Sequence, residues 1–405
     1  MADPSAQDAN PLNRTRLEAL RRTYCDGLLK DVLPFWLTHA VDRDFGGYMT
    51  CLNRDGSLLD TDKSIWAQGR FAWLLATLYD QVEQREEWLE NARSGIDFLR
   101  SYAFDDDGRM FFTVTRDGRP LRKRRYVFSE AFGVAALAAY AKAAGDERAR
   151  DEAENLFRLM IRYLTTPGLL PSKNIPGTRP TKGLAVPMIL IVTAQILRHV
   201  AKDQAFCNEW IMRSIEEIER DFLHPEWRAV LESVGLDGRF VDHLDGRMLN
   251  PGHAIEAAWF IMQEATLQNN DAHLLKLGTT ILDWMWQWGW DEEYGGIFYY
   301  RDVKNLPVQE YWQDMKFWWP QNEAIIATLM AYSLTKDVKY ALWHTQAHDW
   351  AYSHFPDSEY GEWFGYLHRK GSVAQSAKGN IWKGPFHLPR MQLLGWQITD
   401  GLLPR

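Results

Sequence analysis

Two histidines stand in loops shaped by proline and glycine at the start of apolar helical stretches. His253 follows Asn250-Pro251-Gly252, and His387 lies in Lys378-Gly-Asn-Ile-Trp-Lys-Gly-Pro-Phe-His387-Leu-Pro-Arg390. An imidazole with a pKa of about 6.5 takes or gives a proton near neutrality. A pair of them on opposite sides of one substrate carbon can remove a proton from one face and return it to the other, which is epimerisation beside a carbonyl. Other ionisable residues occupy comparable helix starts: Arg70, Glu130, Glu256 and Glu323. Charged groups are costly in a helical interior unless paired or used. Arg70 suits an oxygen that gains charge during reaction. Glu256, three residues after His253, suits orientation of its ring. Glu130 and Glu323 are open to a second reading, in which they only satisfy backbone donors at a helix start. Trp66, Trp318, Trp319 and Trp382 lie within a few residues of these groups. They either stack on a sugar face or line a core. The expected catalytic set is therefore His253, His387, Arg70 and Glu323. The expected substrate-binding set is Trp66, Glu130, Asn250, Glu256, Trp318, Trp319 and Trp382. No metal ligand set is expected, because His344 and His348, one turn apart, lack a third partner in sequence and are expected on solvated surface. His243 and His368 fall in turn segments and are secondary rim candidates.

The elements that must carry these residues recur. Turn segments centre on Gly47, Gly108, Gly168, Gly238, Gly296 and Gly361, at intervals of 58 to 70 residues. Such regularity marks repeated supersecondary units. Most of the turns alternate aromatic and polar residues, as in Gly295-Gly-Ile-Phe-Tyr-Tyr300, and predict short hairpins. Each precedes a helix, at about 64–80, 128–143, 184–199, 253–268, 320–334 and 386–398, with apolar residues every three or four positions. Second helices follow at about 17–36, 88–100, 151–165, 208–222, 272–288 and 337–354. The first set is apolar or small around much of its circumference, as in AFGVAALAAYA at 131–141, and predicts an inner ring. The second is one-sided and predicts an outer ring. The end helices are as apolar as the middle ones, where an open array would have polar caps, so the repeats are expected to close. The predicted fold is all-α, an (α/α)6 barrel of twelve helices with hairpins at one mouth. Residues 1–13 are expected to be a flexible tail and 14–405 one catalytic domain.

Three segments carry a family resemblance: Asn250-Pro-Gly-His253-Ala-Ile-Glu256, Lys316-Phe-Trp-Trp-Pro-Gln-Asn-Glu323, and the loop from Lys378 to Arg390. The chain resembles the N-acylglucosamine 2-epimerase family over nearly its full length. The resemblance implies an (α/α)6 barrel, interconversion of sugars differing at C2, a homodimer, no required cofactor, and ATP as an effector that is not consumed. It maps the essential groups onto Arg70, His253, Glu323 and His387. Cellobiose 2-epimerases and aldose–ketose isomerases of the same superfamily carry a further histidine on the third inner helix. Here Val186-Pro187-Met188 stands there, which resembles the N-acylglucosamine branch.

Bulk properties narrow the alternatives. The chain has 405 residues, a net charge of −8 without long single-sign blocks, and 54 aromatic residues in 19 Trp, 16 Tyr and 19 Phe. This gives no electrostatic basis for nucleic-acid or anionic-membrane binding. Three isolated cysteines, Cys25, Cys51 and Cys207, form neither a disulfide framework nor a zinc site and suit a reducing, cytoplasmic setting. No secretory leader is expected, and the longest apolar run, Leu184 to Leu197, is too short to span a bilayer. No nucleotide loop of the GxGxxG or GxxxxGK[ST] kind is present. The expected function is interconversion of N-acetyl-D-glucosamine and N-acetyl-D-mannosamine by ring opening and two-histidine proton transfer at C2. Three rivals stay open: an epimerase or aldose–ketose isomerase acting on unmodified sugars such as mannose or cellobiose, a glycoside hydrolase using Glu130, Glu256 or Glu323, and a non-enzymatic helical-repeat binding protein.

Overall fold

The computed structural model describes residues 10–172, 174–175 and 177–404. Most of the expected tail, together with Lys173 and Pro176 of the third turn, lies outside the described residues. The helices alternate between two rings. Odd-numbered helices form the outer ring: α1 (Arg14–Asp26, continuing through a π-helical Gly27–Val32 and Leu33–His39), α3 (Glu86–Tyr102), α5 (Glu147–Thr165), α7 (Gln204–Glu217, ending in a π-helical Ile218–Phe222), α9 (Ala272–Gly289) and α11 (Val338–His354). Even-numbered helices form the inner ring: α2 (Ile65–Gln81), α4 (Phe128–Ala144), α6 (Ala185–Arg198), α8 (Pro251–Leu267), α10 (Trp318–Thr335) and α12 (His387–Leu402). A one-turn helix at Leu244–Arg247 lies in the fourth turn region. The inner helices are buried around nearly their whole circumference, as their composition predicts; α10 is buried continuously from Trp318 to Tyr332. Close approach between inner helices requires small residues. A Cβ on Gly69 would stand 2.6 Å from the Phe132 carbonyl oxygen, so glycine sets the α2–α4 spacing.

The ring closes. Tyr24 of α1 packs over Gly395 of α12, where a Cβ would come within 2.8 Å of the ring. Gln397 Nε2 of α12 donates to Gln81 Oε1 of α2 at 3.0 Å. The loop before α12 pairs with the first turn through Lys378 N to Leu52 O at 3.0 Å and Leu52 N to Gly379 O at 3.2 Å.

Short antiparallel strands stitch successive turns at the mouth formed by the N-termini of the inner helices. Lys63–Ser64 pairs with Thr113–Val114, Met248–Leu249 with Arg301–Asp302, and Lys316–Phe317 with Tyr366–Leu367. Below them an ion triad repeats. Asp42 accepts Lys63 at 2.8 Å and Arg116 of the next repeat at 2.8 Å. Asp291 accepts Lys316 at 3.1 Å and Arg369 at 2.8 Å. Asp357 accepts Lys378 at 2.8 Å and, across the closure, Arg54 of the first repeat at 2.8 Å. The three aspartates and three lysines are buried. Each arginine comes from an Arg-x-Gly turn, at Gly56, Gly118 or Gly371, so the seam between last and first repeats uses the same device as the first–second and fifth–sixth joints.

His344 and His348 are a correction to the sequence reading. Both are buried, not solvated. Tyr24 Oη lies 3.2 Å from His344 Nε2 and 2.9 Å from His348 Nδ1, and His344 Nδ1 is 3.2 Å from the Ile325 carbonyl. The inward side of α11 meets α1 at the seam and α10 beneath it. Burial there pulls His344 down to about 3 and keeps it neutral. No helix among the described residues is long and apolar enough to cross a membrane.

Candidate active site

His253 sits in the first turn of α8. Asn250 caps this helix, its Oδ1 accepting the His253 backbone N–H at 3.2 Å while its Nδ2 lies 3.1 Å from His253 Nδ1. The carboxylate that holds the ring is Glu232, with its two oxygens 3.0 and 3.1 Å from Nδ1. Glu232 is itself fixed by backbone bonds: its N–H donates to the Met248 carbonyl at 3.1 Å, and its carbonyl accepts from Leu184 N at the start of α6 at 3.0 Å. Burial lowers the His253 pKa, but the charge and hydrogen bond of Glu232, reinforced by Glu256 and Glu323, outweigh it and leave the ring above its ordinary value.

His387 opens α12 and is buried. Its Nδ1 is 2.7 Å from Glu323 Oε1. Glu323, from α10, also accepts Trp259 Nε1 at 2.8 Å and Arg390 at 2.7 Å. Arg390, one turn beyond His387, joins Glu323 to Glu256 through the same terminal nitrogen, which lies 3.3 Å from His387 Nδ1. Burial and then the Arg390 charge hold His387 well below the ordinary imidazole range. The two imidazoles are therefore pushed in opposite directions, His253 toward its protonated form and His387 toward its neutral one. Donor atoms of Glu256, Glu323 and His387 lie within 4.8 Å of one another. Both carboxylates already face the Arg390 guanidinium, which satisfies them without a metal ion.

Trp319 joins the halves. Its ring centroid is 5.1 Å from that of His253 and 5.7 Å from that of His387, with tilts of 34° and 39°. Trp318 flanks His387 at 6.0 Å, and its indole N–H is buried with no acceptor among the described residues. Arg70 packs its guanidinium against Phe132 at 4.1 Å and Phe386 at 4.7 Å, and its Nη1 donates to the Trp382 carbonyl at 3.3 Å. It forms no ion pair among the described residues, and burial lowers it to about 9. Trp66 donates to Ser129 Oγ at 3.1 Å and packs on Trp382, 5.5 Å between centroids. Trp382 is the exposed member of the group, at 41%.

Two expectations change on this geometry. Glu256 does not hold His253; it is drawn to Arg390, and Glu232 holds the ring instead. Of the two readings of Glu130, the structure favours the supporting one. Its Oε1 accepts the Met110 N–H at 2.9 Å and Arg109 Nε at 2.9 Å. Gln68 Oε1 accepts Tyr48 N at 2.7 Å, and Gln321 Oε1 accepts Ile297 N at 2.7 Å. Glu130 shares this bracket with them, two positions before the register of Arg70 and Glu323. In α4 that later register holds Phe132, which packs on Arg70. His243 caps the Leu244–Arg247 turn, and His368 is exposed on the sixth turn. Sequence reasoning left out Glu232, Arg390 and Trp259. Arg390 stood one helical turn after His387 inside the segment that carries the family resemblance, a signal that was available. Glu232, in Ala229-Val-Leu-Glu232-Ser-Val, offered only one acid among apolar neighbours.

The chain is similar to proteins of one family. The family model for N-acylglucosamine 2-epimerase (GlcNAc 2-epimerase) matches residues 47–386. The chain is 38% identical to the N-acylglucosamine 2-epimerase of Bos taurus over 392 residues, covering 93% of this chain and 90% of that protein. It is 34% identical to the Homo sapiens N-acylglucosamine 2-epimerase, covering 93% and 90%. In three dimensions it resembles the cellobiose 2-epimerase from Spirochaeta thermophila DSM 6192 with a TM-score of 0.83 at 24% identity, over 96% of this chain and 99% of that one.

Proposed function

Because this chain belongs to the N-acylglucosamine 2-epimerase family, we propose that it is a sugar isomerase that interconverts N-acetyl-D-glucosamine and N-acetyl-D-mannosamine by inverting C2 of the open-chain sugar. The observation that carries the reading is the pair of imidazoles on either side of Trp319, each held at Nδ1 by its own carboxylate. With Nδ1 engaged, Nε2 is the nitrogen left on each ring to exchange a proton with substrate.

The C2 proton is acidic only beside a free C1 aldehyde, so the reaction begins with opening of the pyranose, one histidine assisting proton movement between O5 and O1. Neutral His387 then removes the C2 proton through Nε2, with Glu323 fixing its ring. The electron pair moves toward C1 and charge grows on O1. Arg70, which makes no ion pair among the described residues, stabilises that oxygen. His253, whose protonated form Glu232 stabilises, returns a proton to the opposite face of C2. The reverse reaction uses the same pair with roles exchanged. Trp66, Trp318, Trp319 and Trp382 supply the apolar surfaces against which a sugar ring or its extended chain rests. Asn250 holds the first turn of α8 and, with it, His253. Met188, apolar and buried on α6, supports an N-acyl sugar over the disaccharide and isomerase alternatives, as does the identity to the mammalian proteins. The reading carries with it a homodimer and a cytoplasmic enzyme without a required cofactor, with ATP as an effector that is not consumed; its support is the family resemblance and three unpaired cysteines.

The test is incubation with N-acetylglucosamine, N-acetylmannosamine, glucose, mannose and cellobiose, with each product identified by proton spectra. Inversion at C2 of the N-acetyl sugars is expected. Ketose formation, glycosidic cleavage, or activity confined to unmodified sugars refutes the reading.

A further inference from the structure

The opposite mouth of the barrel, formed by the C-terminal ends of the inner helices, opens into a cavity of about 250 Å³ along the axis. Its origin is visible in sequence. The axis-facing side of α4 is reduced to Ala131, Ala135, Ala138 and Ala139, while the facing helices contribute Trp73, Ile189, Val192, Leu393 and Leu394. Alanines on one wall leave a shaft that the other walls do not fill. The rim is polar and internally neutralised: Lys142 pairs with Asp80 at 2.8 Å, and Gln397 bonds Gln81. At its deep end the shaft reaches Arg70 and Arg390. Each of these arginines keeps a buried Nε–H with no acceptor among the described residues. Such donors are rarely left unmet in a native interior. The plug between this shaft and the sugar site is one layer thick, consisting of the two guanidinium groups with Phe132 and Phe386.

We propose that this far mouth is a second ligand site for a small amphipathic carboxylate, with a short hydrocarbon or aryl body lying along the alanine-walled shaft and its carboxylate bound by Arg70 and Arg390 from the side away from the sugar. An apolar shaft favours the body, and a guanidinium at the bottom favours a planar two-oxygen anion over a neutral head. The same two arginines serve the sugar site, so the second ligand alters sugar turnover without competing for the sugar. The site is independent of which sugar the enzyme takes, because it is read by binding.

The experiment titrates the full-length protein with hexanoate and benzoate by calorimetry, with hexanol and benzamide as neutral controls, each with and without saturating N-acetylmannosamine. Both carboxylates are expected to bind, the neutral analogues at least about tenfold more weakly, and binding is expected to persist at saturating sugar. The cavity-filling variant Ala138→Phe, and independently Ala135→Leu, are expected to weaken carboxylate binding by about tenfold or more, with kcat/KM for the sugar in the absence of carboxylate changed less than about twofold. Absence of carboxylate binding to the unmodified protein overturns the proposal. So does equal binding of the neutral analogues, or displacement by sugar, which would place the anion in the sugar site. Should one filling variant misfold, the other and the ligand series on the unmodified protein still decide.

Discussion

The contrast between the two histidines makes Glu232→Gln a demanding test. In the protein the His253 ring nitrogen lies 3.0 and 3.1 Å from the two Glu232 oxygens. That carboxylate is the largest influence opposing the burial of the imidazole. Glutamine keeps the size and can still accept the Nδ1–H, but removes the charge. Losing an opposite charge at this range lowers an imidazole pKa by about 1–3 units, and each unit is about 1.4 kcal/mol, or tenfold in the protonated fraction above the pKa. The sign follows. His253 must be protonated to return a proton to C2, so its pKa sets the alkaline limb of kcat/KM, and Glu232→Gln moves that limb to lower pH. On the alkaline limb the variant is expected to be about tenfold to a thousandfold slower, and the difference shrinks as pH falls toward the lowered pKa. Both directions of reaction change together, because the equilibrium between the sugars is fixed. The assay is a profile of kcat/KM from about pH 5.5 to 9 in each direction, with Glu232→Asp as the variant that restores the charge. An alkaline limb that stays in place in the glutamine variant, with turnover intact, refutes the assignment of His253 as the protonated partner.

Other expectations are more direct. His253→Ala and His387→Ala should each abolish turnover, and in deuterated water the unmodified enzyme should introduce deuterium at C2; a normal rate in either variant defeats the two-base scheme. Arg390→Met leaves the buried Glu256 and Glu323 without their cation, and a buried pair broken from one side costs about 3–5 kcal/mol, to be read as a lower urea midpoint along with lost activity. The triads make the fold sensitive to acid. Although burial raises Asp291, Arg369 and Lys316 outweigh it and hold the carboxyl at about 2. Asp42 and Asp357 are likewise held well below the usual carboxylate range. Folded pKa values below unfolded ones give stability that is complete above about pH 4 and is lost as pH falls toward 2. Asp357→Asn should therefore lower stability at neutral pH and flatten this acid dependence in equilibrium unfolding.

Periodicity and turn glycines made the twelve helices and their inner and outer assignment legible, because the inner helices must be apolar around their circumference and the outer ones need not be. The histidines were legible from their loops. Their partners were less so. Glu232 lies 21 residues before His253 and meets it only because the hairpin carrying it pairs with the strands preceding α6 and α8. Glu256 has the spacing to reach His253, yet a guanidinium 134 residues away is the stronger attraction. Glu130 shows the limit of aligning repeats by eye, since a slip of two positions turns a bracket for backbone into an apparent site residue. His344 and His348 looked solvated because sequence does not reveal that α11 borders the closure and that Tyr24 waits on the other side.

The joint between the sixth and first repeats is built like the joint between the first and second, with Asp357, Lys378 and Arg54 in the places of Asp42, Lys63 and Arg116. Where the polypeptide begins is thus a matter of covalent connectivity, not of architecture. Arg14, Asp400 and Pro404 border one surface hollow, so a short glycine–serine tether can join the start of α1 to the residues after α12. A circularly permuted chain that starts at Asp146, the α5 cap, and finishes at the exposed Gly145 should assemble the same ring.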